Sequence, residues 1–180
     1  HEPGLGPILS AVIISELDIK KAPYSSSFWK YSGLDLGPDG RGRTNHSEHL
    51  VEIEYINKDG KTATKKSITY NPFLKSKLLG VLPETLLRAR SPFAKVYHDY
   101  KLRLKSDPSC AELAPAHLAA RARRYMVKQF LVHLHTNWAR LEGLPPTTSY
   151  AEAKLGLSHR PSTTVLPLEV QAPEQEDLPC

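Results

Sequence analysis

The chain has 180 residues, of which 40% are apolar and 24% charged, which is room for one sizeable core or two small ones. Its net charge of +5 hides an asymmetry. Pro161 to Cys180 hold Glu169, Glu174, Glu176 and Asp177 and no Lys or Arg, so the preceding 160 residues carry +9. A polyanion is the natural partner of such a body, although scattered surface lysines would give the same sum. No run approaches the roughly 18 apolar residues that a bilayer span needs, and Ile8 to Leu17 follows His1-Glu2 rather than a basic segment, which argues against a signal peptide. Cys110 and Cys180 provide neither metal-ligand spacing nor a disulfide framework, which fits a reducing compartment. Because the first residue is His and not Met, the expectation is a piece cut from something longer.

Pro3-Gly4-Leu5-Gly6-Pro7 runs directly into the apolar stretch Ile8 to Leu17. Two glycines around one leucine allow a tight turn, and Pro7 suits the first turn of a helix, where its missing N–H costs little. This pattern is the second half of a helix-hairpin-helix, which offers backbone amides at a helix N-terminus to a DNA phosphate. A bare turn before a buried helix accounts for the same letters.

Asp18 to Tyr24 reads as a connector, and Ser25-Ser26-Ser27 offers an N-cap for a short helix carrying Phe28, Trp29 and Tyr31, ended by Gly33. Leu34 to Ser47 is then a polar loop rich in glycine and bearing Arg41 and Arg43. His49 to Ile56 and Lys61 to Tyr70 alternate in β fashion around Asn57-Lys58-Asp59-Gly60, so a two-stranded hairpin is expected, lying on the helices or on a ligand. Asn71-Pro72 opens a helix with Leu74, Leu78, Val81 and Leu82 inward and Lys75 and Lys77 to the side, which Pro83 interrupts. From Ser91-Pro92 onward, Phe93, Val96, Tyr97, Tyr100 and Leu104 form a core-facing stripe.

The longest helix is expected from about Pro115 to Leu141. At about 100° per residue, Met126, Val127, Phe130, Leu134, Trp138 and Leu141 share one broad side, while Arg121, Arg124, Lys128 and His135 form a cationic ridge opposite. That ridge is either a solvated face or one that tracks phosphates. Gly143-Leu144-Pro145-Pro146 stops the rod, Tyr150 to Leu155 forms one more short helix, and Pro161 onward is expected to be a disordered acidic tail. The fold class is thus mainly α, with a helix-hairpin-helix-like start, one β-hairpin insertion, a long C-terminal helix and the tail. A domain over 1–157 followed by a tail over 158–180 is the corresponding division.

The eight histidines raise the question of a metal. His46 and His49 lie three apart, and His133 and His135 two apart, without companion ligands, so no metal site is expected. Glu52 and Glu54 look like the solvent face of a strand rather than paired catalytic acids. In the glycine-rich loop, Arg41 and Arg43 can fork onto phosphate oxygens, and Thr44 and Ser47 place hydroxyls beside them. Such a hydroxyl attacks a phosphodiester only if another group removes its proton, and no base is evident from the sequence.

Four stretches resemble a known family. Pro3-Gly4-Leu5-Gly6-Pro7-Ile8-Leu9 with Ala11-Val12-Ile13, followed by Trp29-Lys30-Tyr31-Ser32-Gly33-Leu34, is similar to the opening of the C-terminal domain of insertion-sequence 110/116/902 family transposases. Asn71-Pro72-Phe73-Leu74-Lys75 is similar to the family's N-x-x-L-K/R helix, and Ala119 to Leu131, with Arg121, Ala122, Arg124, Tyr125, Met126, Val127, Lys128 and Phe130, resembles its closing helix. The four occur in the family's order over roughly residues 3 to 157.

The resemblance implies DNA transposition. Family members join an RNase-H-like domain, whose acidic residues hold a divalent metal such as Mg, to this C-terminal domain, whose serine is thought to attack DNA. They work as oligomers on DNA, and some are guided by an RNA that the element encodes. It also implies a bacterial cytoplasmic, nucleoid-associated setting with no membrane. The metal-binding domain and the first helix of the hairpin motif lie outside these 180 residues, so this piece is expected not to cut or join DNA alone and to carry no cofactor itself. Where the family has its serine, the first hydroxyls after Gly33-Leu34 are Thr44 and Ser47, with Ser67 a third candidate. Gly4, Gly6, Arg41, Arg43, Arg121, Arg124 and Lys128 are the expected phosphate contacts. The rivals are a helical module that binds a protein partner, its arginines merely solvated, and a decayed fragment that only binds DNA.

Overall fold

A computed structural model describes residues 2–37, 39–145 and 150–155. The architecture is mainly helical with one antiparallel hairpin. Helices α1 (Pro7–Glu16) and α2 (Ser25–Tyr31) are followed by the hairpin strands β1 (Val51–Ile56) and β2 (Thr62–Ser67). Then come α3 (Pro72–Ser76), α4 (Leu82–Arg88), α5 (Pro92–Ser106), the 27-residue α6 (Pro115–Leu141) and the short α7 (Tyr150–Leu155). Five of these helices, α1, α3, α4, α5 and α6, have a proline in their first turn, where no intrahelical N–H is lost.

The core forms around α6. Helix α5 runs antiparallel to it, since Phe93 meets Phe130 at the start of α5, Tyr100 stacks on Tyr125 in the middle, and Leu104 joins Leu118 in a small cluster at its end. Phe28 of α2 and Leu74, Leu78, Leu82 and Leu86 of the α3–α4 segment close the main cluster with Ile13, Met126, Val127 and Leu131. Burying side chains of this size at about 25 cal/mol per Å² is the main stabilising term. Among the described residues no helix is long and apolar enough to cross a membrane.

Several expectations need correction. Helical residues continue through Pro83 without a gap. Residues Lys77–Val81 widen into a π-helical turn that leads into α4, which spares the carbonyl clash and the missing hydrogen bond of a proline inside a regular helix. The N-cap of α2 is Tyr24, without a side-chain hydrogen bond, and the three serines lie inside the helix. His135 belongs to the core and not to a cationic ridge. It is 2% exposed, its ring nitrogen Nε2 donates to the Ala22 carbonyl at 2.7 Å, and its ring meets Phe28 edge-on. Correspondingly, Leu141 is 82% exposed, so the buried stripe of α6 runs through Leu118, Ala122, Met126, Phe130, His135 and Ala139 instead.

The hairpin does not lie on the helices. All six residues of β1 are exposed, and β2 is at most half-buried at Ala63 and Ser67. Its cohesion is internal: Glu52 faces Lys66 across the strands, Lys65 Nζ sits 4.9 Å from the Tyr55 ring centre, and the Asn57 side chain accepts from the Asp59 and Lys61 amides in the turn. His49, expected to start the first strand, instead ends a 3-10 turn over Ser47–His49 and is buried. The acidic tail and the 157/158 division lie outside the described residues.

Candidate nucleic-acid interface

The loop between α2 and β1 is knit by its own side chains. Arg43 grips Asp35 in a fork: Nε donates to both carboxylate oxygens at 3.0 Å, and Nη2 donates to Oδ2 at 2.9 Å and to the Leu36 carbonyl at 3.3 Å. Leu36 bridges Gly42, and the Gly37 amide donates to the Arg41 carbonyl, closing a tight turn. Lys75, one turn into α3, donates from Nζ to the Arg43 carbonyl and lies 4.2 Å from the Tyr70 ring centre. The N-x-x-L-K pattern thereby has a geometric meaning. Asn71 caps α3 by accepting from the Leu74 amide, and also donates to Glu16 and to the Tyr31 hydroxyl; Leu74 enters the core, and Lys75 reaches the loop.

Two residues of α6 complete the group. Arg124 lies against the backbone at Gly42, where a Cβ would overlap its guanidinium, and its Nη1 is buried without a hydrogen-bond partner among the described residues. One turn further on, Lys128 is half-buried with Nζ 4.9 Å from the Trp29 ring centre, while the Trp29 indole donates to the Lys128 carbonyl at 3.3 Å. Burial pushes Lys128 below the ordinary lysine range, Arg124 pushes it further, and Asp35 opposes both. Lys75 is lowered by burial first, then by Arg124 and Arg43, again against Asp35. Arg124 is lowered by burial.

Four cations, Arg43, Lys75, Arg124 and Lys128, are therefore gathered around one carboxylate. Asp35 and Arg43 satisfy each other, which leaves Arg124 repelling Lys75 on one side and Lys128 on the other in a partly desolvated setting. Placing like charges there costs free energy that the free protein does not recover. An anion bound among them would supply the missing countercharge and the missing acceptor for Arg124.

The remaining expected contacts fall elsewhere. Arg41 is exposed, and Arg121 is exposed with Nη1 3.4 Å from Cys110 Sγ. Arg43 commits Nε and Nη2 to Asp35 and the Leu36 carbonyl, so the fork that the sequence pattern offers to phosphate is turned onto a carboxylate here. Gly4 has a different explanation from phosphate contact. At φ +87 it lies against α4, where a Cβ would collide with the Thr85 carbonyl and Ala89. Gly6 is the exposed N-cap of α1 and lines a shallow apolar groove with Ile8, Leu9, Lys77, Val81 and Thr85. The glycine turn and the α6 cations thus have different immediate neighbours, Thr85 and Ala89 for Gly4 and Gly42 for Arg124.

Thr44 is half-buried and Ser47 is exposed at the start of the 3-10 turn; Ser67 lies on β2, its hydroxyl directed to the Ile68 carbonyl at 3.4 Å. A base that the sequence did not reveal stands beside Thr44: the Thr44 hydroxyl is 3.0 Å from His49 Nδ1, and His49 Nε2 is 3.1 Å from Asp39 Oδ1. The only signal was a histidine five residues after the threonine, which is uninformative until the loop is folded. Among the described residues no three His, Cys, Asp or Glu side chains are grouped so as to hold a metal ion. Compared with known proteins, the chain matches no family model, no curated protein and no solved structure.

Proposed function

We propose that this chain is the DNA-engaging C-terminal part of a transposase, acting in DNA transposition or recombination and completing a composite active site with a metal-binding RNase-H-like domain. The observation that carries the nucleic-acid part is the gathering of Lys75, Arg124 and Lys128, half-buried, about an Asp35 already committed to Arg43. A polyanion removes the repulsion, and phosphate oxygens accept from the guanidinium. The transposase part rests on the four family-like stretches. Two of them deliver residues to this site, Lys75 from one and Arg124 and Lys128 from another. DNA, an element-encoded RNA and further copies of the chain are the partners this reading assigns.

The test is fluorescence anisotropy with duplex DNA and RNA between 50 and 200 mM salt. Micromolar or weaker, sequence-tolerant binding is expected, with affinity falling steeply as salt rises. Replacing Lys75, Arg124 and Lys128 together with Gln is expected to flatten the salt slope by about 2 to 3, at roughly 0.9 per phosphate contact on duplex. Replacing exposed Arg121 alone is expected to change it by less than about 1. Unchanged retention by the triple variant would favour the protein-binding module instead.

A further inference from the structure

We infer that His49 is the proton acceptor for the Thr44 hydroxyl and that Asp39 positions it, so that Thr44, and not Ser47, is the hydroxyl placed to attack a phosphodiester. This rests on the nucleic-acid reading above, because the phosphodiester is the one held by the neighbouring cations.

The hydrogen-bond pattern fixes the direction of the relay. His49 Nδ1 receives the Thr44 backbone N–H at 3.0 Å, and an amide can only donate, so Nδ1 is an acceptor and carries no proton. The same Nδ1 lies 3.0 Å from Thr44 Oγ, which already accepts the His46 amide at 3.2 Å; the hydroxyl proton therefore points at Nδ1. The imidazole proton is on Nε2 and is donated to Asp39 Oδ1 at 3.1 Å. Asp39 is held charged in turn, its carboxyl kept below the usual range by the Arg41 amide first and then by His49. The ring itself is 5% exposed and passes so close to Gly37 that a Cβ there would overlap Nε2. Hydroxyl, imidazole and carboxylate stand in the order that nucleophilic catalysis uses, with the two ring nitrogens exchanged relative to the serine-protease arrangement.

The relay adjoins the cationic group through the backbone. Thr44 follows Arg43, whose carbonyl takes the Lys75 ammonium and whose side chain holds Asp35, and Gly42 lies on Arg124. A phosphate seated among Lys75, Arg124 and Lys128 is therefore next to the Thr44 segment. In the step itself, the Oγ–H proton passes to His49 Nδ1 as Oγ bonds to phosphorus. The bond from phosphorus to one sugar oxygen breaks, and that oxygen leaves with the electron pair and takes a proton from water. The products are a threonyl phosphodiester and a free sugar hydroxyl, and Asp39 faces the imidazolium that forms. Ser47 is exposed and has no part in this geometry.

A small alkyl fluorophosphonate tests the relay on the whole chain without the partner domain, since fluoride leaves unaided. Peptide mass mapping is expected to find Thr44 labelled about 100-fold faster than Ser47, the scale of general-base assistance. Thr44→Ser should keep the label and Thr44→Val abolish it, and Asp39→Asn, on the exposed end of the relay, should slow it several-fold. Imidazole 15N shifts should show the Nε2–H form at His49, which reports the relay even if a His49 variant fails to fold. Saturating duplex should protect Thr44 from the label. Labelling of Thr44 no faster than Ser47, an Nδ1–H ring, or an Asp39→Asn rate equal to the unaltered one would overturn the relay and leave the DNA-binding reading standing. Labelling that duplex does not block would overturn the placement at the phosphate. Failure of the unaltered chain to bind nucleic acid would sink the parent reading while the labelling still decides the relay.

Discussion

Two consecutive segments of this protein reverse what their letters promise. The loop from Leu34 to Leu50 is glycine-rich and polar, yet it is fastened by the Asp35–Arg43 fork, by Lys75 on the Arg43 carbonyl and by the buried His49 ring. The hairpin from Val51 to Ser67 has the alternating apolar residues of a half-buried ribbon, yet β1 is exposed along its whole length. Side-chain polar contacts order the first, and backbone pairing with cross-strand contacts orders the second. Regular secondary structure is thus a poor guide to which part of the chain is fixed to the core, and the loop is the part that brings chemistry-bearing groups to α6.

That contrast can be broken most sharply at Asp35. Asp35→Ala leaves Arg43, Lys75, Arg124 and Lys128 without a carboxylate, and a loss of about 2 to 3 kcal/mol is expected, below the value for a fully buried pair because both partners retain some exposure. Urea denaturation measures the loss, and hydrogen exchange should show faster opening confined to the loop. Lys128→Met should act in the opposite sense on stability. It removes a repelled, half-buried cation and keeps an apolar chain on Trp29, so a gain of up to about 1 kcal/mol is expected together with weaker duplex binding. A stability gain with unchanged binding would detach Lys128 from the interface.

The same repulsion has a pH signature. The folded chain holds Lys75 and Lys128 below their ordinary value of 10.5, so in the window just under that value the unfolded chain binds more protons than the folded one. Stability contributed at these two sites should therefore rise with pH through that window. The comparison that isolates it is the unaltered chain against the Lys75→Gln, Lys128→Gln double variant, which should lack the rise. At the small end, Ile56→Thr in the hairpin should change stability by no more than about 0.5 kcal/mol, since Ile56 is 75% exposed; a larger loss by thermal melting would mean the hairpin packs more closely than its exposure indicates.

Much of the helical framework was legible in the letters. Proline in the first turn marks the starts of α1, α5 and α6, and Asn71-Pro72 gave both the cap and the first turn of α3. Asn57 to Gly60 likewise gave the turn of the hairpin. Contacts between residues far apart in the chain leave no such mark. At about 100° per residue His135 falls beside Arg121, Arg124 and Lys128, but its partner is the Ala22 carbonyl, 113 residues away, and that bond offsets the cost of burial. Nothing in the spacing shows that Asp35, eight residues earlier, folds back onto Arg43. Composition alone also does not show that Gly37 and Gly42 make room for His49 and Arg124. The π-helical turn before Pro83 has no periodic signature at all.

The central claim is that Lys75 and Lys128 are each held against Arg124, without a countercharge of their own, until a polyanion joins them. The most direct measurement is the titration of both lysine 13Cε signals by NMR, with and without saturating duplex DNA. The expected result is a midpoint below the ordinary lysine range for each in the free protein, rising when DNA is bound. Midpoints that are ordinary in the free chain, or that DNA leaves unmoved, would contradict it.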